Sequence, residues 1–404
     1  MEPEIRIPEE VELCMNLLSK AGFESFIVGG AVRDALLHKF VHDYDLTTDA
    51  LPEQMHAVFS SLPVIDTGIA HGTVTVVVNG MPIEITTYRT DTGYSDHRHP
   101  DAVVFTPNLR EDCARRDLTI NALAYHPGLG IRDFFNGRED LQQGIIRTVG
   151  SPERRFTEDA LRILRAVRFM AQLDFTMDPD THKAILKHKD ELAYISQERI
   201  TAELLRILTS PGCSEAFRTY RPLFEVFIPE LKEIPDDAWA HVLAGLKICV
   251  PAAAARFAVI LAAVPVLPEN FFSRLKMSNT MRHDTKACLA AASLPCSDRI
   301  SLRRIIRILD IPFETWLSFR RALEPELDTE SVRKLYRQIL EDGDCCKVSD
   351  LALSGKDLQA AGLHGSEIGE ALNTLLDAVI EERCVNNRDA LLAYISKNST
   401  GDKK

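Results

Sequence analysis

The 404-residue sequence has no C-x-x-C pair, no excess of basic residues and no long hydrophobic run free of charge and proline. Its nine cysteines are odd in number and stand singly, apart from adjacent Cys345 and Cys346. That spacing argues against a disulfide framework or a structural zinc site and points to a reduced cytosolic protein with buried thiols. The most apolar stretch, 246–267, is interrupted by Lys247, Pro251, Arg256 and Pro265. A bilayer span needs about 20 predominantly apolar residues, so a buried helix pair is expected there instead. The opening MEPEIRIPEE is acidic and has no apolar core, so no secretory signal is expected. Lys and Arg number 47 against 59 Asp and Glu, a net charge of −12. This excludes wholesale coating of nucleic acid but leaves room for a local basic groove. Glycine and proline, 20 each, are at ordinary levels, and no fixed-period repeat or low-complexity tract occurs. What remains is a globular chain, long enough for several domains.

Punctuation changes along the chain. From Phe23 to about Arg147, short β-type runs recur: FIVGG (26–30), TVTVVVNG (73–80), PIEITTYR (82–89) and AVVFTP (102–107). AVRDALLHKF and PEQMHAVFSSL read as helices between them, and Asn79-Gly80 predicts a hairpin turn. Beyond Ser151 the pattern is helical throughout. EDALRILRAVRFMAQL sets Leu161, Leu164, Val167 and Met170/Ala171 at helical spacing, with arginines on another face. Breaks are expected near 210–212, 295–300 and 354–356, and a frayed tail at NSTGDKK. The expected class is α+β: a mixed α/β head followed by an all-α remainder.

The sharpest local signal is FIVGGAVRD (26–34) followed by HDYDLTT (42–48). Strand, Gly29-Gly30 turn and helix start together let backbone N–H groups approach a phosphate with no Cβ in the way. Alone, a Gly-Gly turn is weak evidence. Asp43 and Asp45, two apart, would face the same side of a strand, where paired carboxylates repel unless a cation sits between them. Mg²⁺ commonly joins a few carboxylates to substrate phosphates. Two surface acids on a solvated loop would explain the same spacing. Glu84, between Ile83 and Ile85, is a candidate third carboxylate, and an ordinary solvent-facing glutamate explains it equally. Strand, glycine turn, helix and Asp-x-Asp is the arrangement that two-metal nucleotidyl transfer needs. No Walker lysine, Ser-His-Asp signature or cysteine nucleophile competes with it. His283-Asp284, in MRHDTKA, reads as a helix surface.

A second theme is arginine. RRDLTINALA (115–124) and DFFNGREDL (133–141) precede RRFTEDALRILRAVRF (154–169), and between Arg147 and Arg168 six arginines face Glu153, Glu158 and Asp159. Arginine offers fixed forks to phosphates. Without the motifs of the head, an ordinary helix with pairs such as Glu158–Arg162 is the preferred explanation of the run. On one helix, Asp159 and Arg162 would project side by side, an acceptor beside a donor. Such a pair accepts the pairing edges of C and A and leaves polar groups unpaired with G or U.

These motifs together resemble class II, bacterial-type tRNA nucleotidyltransferases, the CCA-adding family of the polymerase β superfamily. The resemblance covers about residues 20–215 and runs in order through VGGAVRD (28–34), HDYDLTT, GIAHGTVTV (68–76), YRTDTGYSDHRHPD (88–101), RRDLTINALAY (115–125), DFFNGREDL, EDALRILRAVRF (158–169) and SQERITAELLRIL (196–208). It implies a sea-horse-shaped monomer in the cytoplasm: nucleotidyltransferase head 1–145, neck 146–212, helical body 213–300 and tRNA-binding tail 301–404. It also implies a two-metal Mg²⁺ site on Asp43 and Asp45, with Glu84 as a further candidate. Gly29, Gly30 and Arg33 would hold the triphosphate, and Asp117 the ribose 2′-OH with Arg116 beside it. Asn121 would join the nucleotide site. Asp159 and Arg162 would read the base, while Arg165 and Arg168 reach phosphates. CTP and ATP would be donors, the tRNA 3′ end the acceptor, and no membrane partner is implied.

Within the family, TDTGYSDHRHPD (90–101) matches a mobile loop that CC-only enzymes lack, which favours complete CCA addition. An A-only or CC-only enzyme is the main alternative. A poly(A) polymerase is disfavoured by GIAHGTVTV, and a non-catalytic RNA-binding protein by the two aspartates. A small-molecule nucleotidyltransferase is disfavoured by the long helical half. Leu118 stands where the family often has an aromatic, a difference expected to matter for packing. No phosphohydrolase His-Asp domain follows, so no built-in phosphatase is expected.

Overall fold

Short β-branched runs separated by tight turns build a seven-stranded sheet in the computed structural model, which describes residues 5–92 and 102–399. The strands are β1 (Ser25–Val28), β2 (Asp45–Thr48), β3 (Val64–Gly68), β4 (Thr73–Val78), β5 (Met81–Thr87), β8 (Leu123–His126) and β9 (Gly130–Asp133), ordered β3-β4-β5-β2-β1-β8-β9. Only β2 and β5 pair in parallel; the other neighbours are antiparallel. β1 lies inside the sheet and is buried throughout, so its sequence is a continuous apolar run rather than an alternation. In β4, by contrast, Val74, Val76 and Val78 alternate into the core. The β4–β5 hairpin turns at Asn79-Gly80 with φ of 50° and 83°, both in the left-handed region that a two-residue turn requires.

Helices α1 (Glu9–Lys20), α2 (Gly30–Leu36), α3 (Pro52–Val58), α4 (Leu109–Ala114) and α5 (Gly137–Gln143) accompany the sheet. One core joins Phe26, Val28, Ala122 and Ala124 of the central strands and their approach to Leu109 and Cys113 of α4. AVRDALLHKF is helical only as far as Leu36. His38 takes φ 54°, and the His38 and Lys39 N–H groups donate back to the Ala35 and Asp34 carbonyls, closing the helix. AVVFTP forms β7 (Ala102–Phe105), yet it pairs only with β6 (Arg89–Thr92) in a separate ribbon outside the main sheet.

The helical continuation runs through α6 (Pro152–Glu158), α7 (Leu161–Leu173), α8 (Pro179–His188), α9 (Gln197–Leu208) and α10 (Cys213–Phe227). Leu161, Leu164, Val167, Met170 and Ala171 are all buried, as the 3.6-residue period requires. Two compact units result: residues up to Lys232 with Arg274–Lys276, and Glu233–Ser273 with Met277 onward. The expected breaks at 145/146 and 212/213 therefore fall inside the first unit. Strand β10 (Ile145–Ile146) pairs with β11 (Thr176–Met177), and the Gly212 N–H donates to the Ala171 carbonyl at 2.8 Å, so both points are bridged.

The second unit carries α11 (Asp236–Ile248), α12 (Ala253–Leu261), α14 (Asn279–Ala290), α15 (Arg299–Ile308), α16 (Phe313–Leu323), α17 (Thr329–Glu341), α18 (Gly355–Ala360), α19 (Ser366–Ile380) and α20 (Arg388–Ser399); the short α13 (Phe271–Arg274) straddles the division. The 300/301 break lies within α15. The apolar stretch 246–267 contains the end of α11 and all of α12, with Pro251 in the link between them. Among the described residues no helix is long and apolar enough to cross a membrane. All nine cysteines are free thiols and eight are buried, and burial is the main cause that pushes the Cys113 thiol up to about 12.

Candidate active site

Eleven of the thirteen predicted site residues line one open cleft of about 500 Å³ in the first unit: Gly29, Gly30, Arg33, Asp45, Arg116, Asp117, Asn121, Asp159, Arg162, Arg165 and Arg168. Arg115, Leu161, Phe169, Gln172 and Arg199 complete its wall. Seven arginines thus line the cavity against three aspartates, a surplus of positive charge on its wall, while Asp34, Asp112, Glu158 and Glu203 pair with five of them from outside it. Such a concentration focuses a field on anions despite the net charge.

The glycines are not equivalent. Gly29 ends β1 with φ 71° and ψ −128°, outside the reach of L side chains, and a Cβ there would stand 3.2 Å from Arg116 Nη1. Gly30 opens α2, where a Cβ would make only ordinary contact with Arg33.

Asp45 is the first residue of β2, paired with Val28 on one side and Glu84 on the other. Asp43 is not on the strand. Because β1 turns away at Gly29, the residues before Asp45 have no ladder partner, and Asp43 sits exposed in the segment leading in. Neither Asp43 nor Glu84 lines the cleft. The surrounding protein, then Glu84 and Asp43, raise the Asp45 carboxyl above its ordinary range, while Arg116 opposes them. This is the response expected of acids sharing one neighbourhood, and it suits a cation. Among the described residues no three His, Cys, Asp or Glu side chains are grouped closely enough to hold a metal by themselves.

Behind Asp45 a relay crosses the cleft floor. Arg33 donates to Asp34 through Nε and Nη2, both at 2.9 Å, and through Nη1 to Asn121 Oδ1 at 2.7 Å. Asn121 donates to Asp117 Oδ1 at 3.2 Å, and Arg165 Nε donates to Asp117 Oδ2 at 2.7 Å. Burial alone would raise the Asp117 carboxyl, but Arg165 and Asn121 outweigh it and hold it far below the usual range. DFFNGREDL supports this floor: Asp133 accepts the N–H groups of Phe135, Gly137 and Arg138, and Asp140 accepts from Thr119 at 2.6 Å. Leu118 is buried and bridges to Thr148, a packing role.

Asp159 and Arg162 do not share a helix. Asp159, with φ −147°, is the extended break between α6 and α7, and its Oδ1 accepts the Leu161 N–H at 3.0 Å. Asp residues favour such positions because the side chain satisfies a helix-start N–H. The same carboxylate receives Arg199 Nη2 at 2.8 Å. Arg162 donates to Glu158 at 2.6 Å and to the Arg115 carbonyl at 3.2 Å. The Glu158–Arg162 pair weighed as a bland explanation is thus present, and both base-reading candidates line the cleft with partners in place. Arg168 is not on an exposed face. It is buried with Nε 2.6 Å from Glu203 and stacks over Phe169, 4.0 Å from its ring centre. Burial lowers its pKa to about 10 against the pull of Glu203. Arg33 also covers the Phe169 ring at 4.7 Å.

Sequence reasoning missed Arg199 and Phe169. Arg199 stands 40 residues from Asp159, and no helical or strand period links them. Phe169 reads as one more apolar residue of α7. Residues 93–101, which hold most of the expected switch loop, lie outside the described residues.

Three family profiles match in order: Poly A polymerase head domain over 25–147, RNA and SrmB-binding site of polymerase A over 174–234, and tRNA nucleotidyltransferase domain 2 over 251–395. A protein of Lactobacillus helveticus called CCA-adding enzyme is 36% identical, with 94% of this chain and 95% of that protein aligned. One of the same description from Geobacillus stearothermophilus is 35% identical over 96% of each chain. Among solved structures, the Bacillus stearothermophilus CCA-adding enzyme in complex with CTP superposes with a TM-score of 0.77 at 32% identity, covering 100% of both chains. The Thermotoga maritima CCA-adding enzyme complexed with tRNA shares the fold, with a TM-score of 0.64 at 19% identity over 98% and 97% of the chains.

Proposed function

This chain belongs to the CCA-adding enzyme family, and from that premise we propose that its cleft binds CTP and ATP in turn and transfers their nucleotides to the 3′ end of tRNA. The observation that carries the reading is the single cleft where Asp45, the glycine turn and seven arginines meet Asp159. Its positive surplus suits a triphosphate, which brings several negative charges. Arg33, tied to Asn121, and Arg116, beside Gly29, would hold phosphate oxygens. Asp117 is ionised and fixed by Arg165, so it accepts hydrogen bonds from a sugar hydroxyl without having to lose a proton first.

Base choice would fall to Asp159 and Arg162. Asp159 accepts the exocyclic amino group that C and A share, and Arg162 donates to the adjacent ring nitrogen. G and U present the reverse order, leaving a buried donor and acceptor unpaired at a cost of about 1–3 kcal/mol each. Arg199 would keep the Asp159 carboxylate pointed across the cleft. No nucleic-acid template is required.

Family members use divalent cations. Asp43 and Asp45 fit one: burial, and then the nearby Glu84 and Asp43 carboxylates, raise Asp45, a dication would favour its ionised form, and Mg²⁺ commonly takes one or two protein carboxylates plus substrate phosphates and water. When bound, it supplies the charge that activates the acceptor hydroxyl and stabilises the leaving pyrophosphate. The helical remainder would hold the tRNA through phosphate contacts, so affinity should fall steeply with salt.

A primer-extension assay tests the reading, with acceptors lacking three, two or one terminal nucleotides and each triphosphate alone and together. Full CCA restoration on the shortest acceptor is expected. Addition of A solely to an acceptor ending in CC would make this an A-adding enzyme, and arrest after two cytidines a CC-adding one.

A further inference from the structure

We infer that Phe40, with His42 beside it, is a stacking platform for the unpaired terminal base of the acceptor strand. The inference rests on the nucleotidyl-transfer reading above but concerns the other substrate. Phe40 is 79% exposed, the most exposed large hydrophobic side chain among the described residues. Its ring meets His42 edge to face, with centroids 4.8 Å apart and planes at 72°. Both belong to the short link between α2 and β2 that delivers Asp43 and Asp45.

That link is tied at both ends. The left-handed His38 and the Lys39 N–H bond to the Asp34 carbonyl, 2.8 Å, close α2; the Tyr44 hydroxyl donates to the Arg6 carbonyl at 3.2 Å before β2 begins. Phe40 and Asp43 are three residues apart, so their Cα atoms are at most about 11 Å apart. The attacking 3′ hydroxyl must approach the Asp43–Asp45 carboxylates, and the base on that same ribose must lie within a few ångströms of it. Phe40 is therefore within reach of the last base of the acceptor.

The chemistry of the reaction asks for such a surface. The incoming nucleotide must be selected, and hydrogen-bonding groups such as Asp159 do that. The acceptor's last base is the tRNA's own terminal base in the first cycle and C in the next two, so its site must hold different bases. Stacking on an aromatic ring does this, because every base has a π face. Exposed Lys39, next in sequence, supplies a cation for the adjoining phosphate. Nothing in the core uses Phe40, so the fold does not account for its being aromatic.

The test uses the full chain, CTP and an acceptor lacking CCA. Phe40→Ala should lower kcat/KM for the acceptor by roughly 5- to 100-fold, the range for losing one stacked base, and leave KM for CTP unchanged. Phe40→Trp should restore it, and thermal unfolding should not move. A 2-aminopurine at the acceptor's 3′ terminus should be quenched by the unmodified enzyme and not by Phe40→Ala. Equal acceptor kcat/KM in the two proteins, or unchanged quenching, overturns the inference while nucleotide addition stands. Failure of the unmodified enzyme to extend the acceptor overturns the reading on which it rests.

Discussion

α7 and α15 look alike on paper: LRILRAVRF in the first unit and RISLRRIIRI in the second both interleave arginines with aliphatic residues. Their surroundings differ. Around α15, Arg299 meets Asp342 and Asp344, Arg303 meets Glu382, Arg304 meets Glu381, and Arg307 meets Asp377. Each of these cations has a carboxylate, supplied by α19 and by the segments that follow α17 and α19 in the same unit. Around the cleft every lining arginine has an acidic partner too, with Arg33 on Asp34 and Arg115 and Arg116 sharing Asp112, but Asp34, Asp112, Glu158 and Glu203 lie outside the cavity wall, which seven arginines line against three aspartates. Arginine density does not mark a site; arginines gathered on a concave wall with most of their carboxylates behind it do.

Asp45→Ala should test that difference most severely. Loss of a metal-holding carboxylate should cut nucleotide addition by at least about 10³-fold, on the order of 4 kcal/mol in the barrier, with tRNA binding nearly unchanged in a filter assay. Retained turnover would detach the cleft from the chemistry. Asp159→Ala should reduce the preference for CTP over UTP by roughly 10- to 100-fold, read from kcat/KM ratios on one acceptor. Arg199→Ala should move the same ratio in the same direction by a smaller factor, about 10-fold, because the carboxylate remains but loses its orientation. Equal selectivity in that variant would reduce Arg199 to a structural ion pair.

Asp117 sharpens the comparison through pH. Its carboxyl is depressed in the folded protein by Arg165 and Asn121 despite burial. The stability it contributes is therefore fully present above the ordinary unfolded value of about 3.9 and is lost as pH falls from there toward the depressed folded value. Asp117→Asn should flatten the acid side of a stability–pH curve in that window, and an unaltered curve would contradict the assignment. Arg304→Ala should do least. Its partner Glu381 is at the surface, where such pairs are worth about 0–1 kcal/mol, so urea unfolding should shift by less than that and KM for CTP should stay put.

The order FIVGG, helix, D-x-D was readable because each step is local. A buried apolar run, a residue that tolerates positive φ and a helix start are properties of neighbouring residues. The same holds for the Asn79-Gly80 hairpin and the buried stripe of α7. Where the reading of the site failed, neighbours in space overrode neighbours in sequence. Asp43 leaves the strand because its pairing partner β1 turns away at Gly29. Asp159 leaves the helix because its side chain caps α7 and is held by Arg199 from α9. Arg168 is buried because Glu203, 35 positions on, meets it inside the fold.

Composition and periodicity pointed to the class of fold, and the ordered motifs, through their resemblance to a known family, pointed to the family and to eleven residues that line one cleft; motifs and backbone preferences are properties of one segment at a time. Which arginines line the cavity and which carboxylates pair with them, which carboxylates are pre-oriented and where an aromatic ring stays in water just before β2 were decided only by the tertiary structure. Charge pairing and burial act through distances between segments far apart in the chain, and no local spacing encodes them.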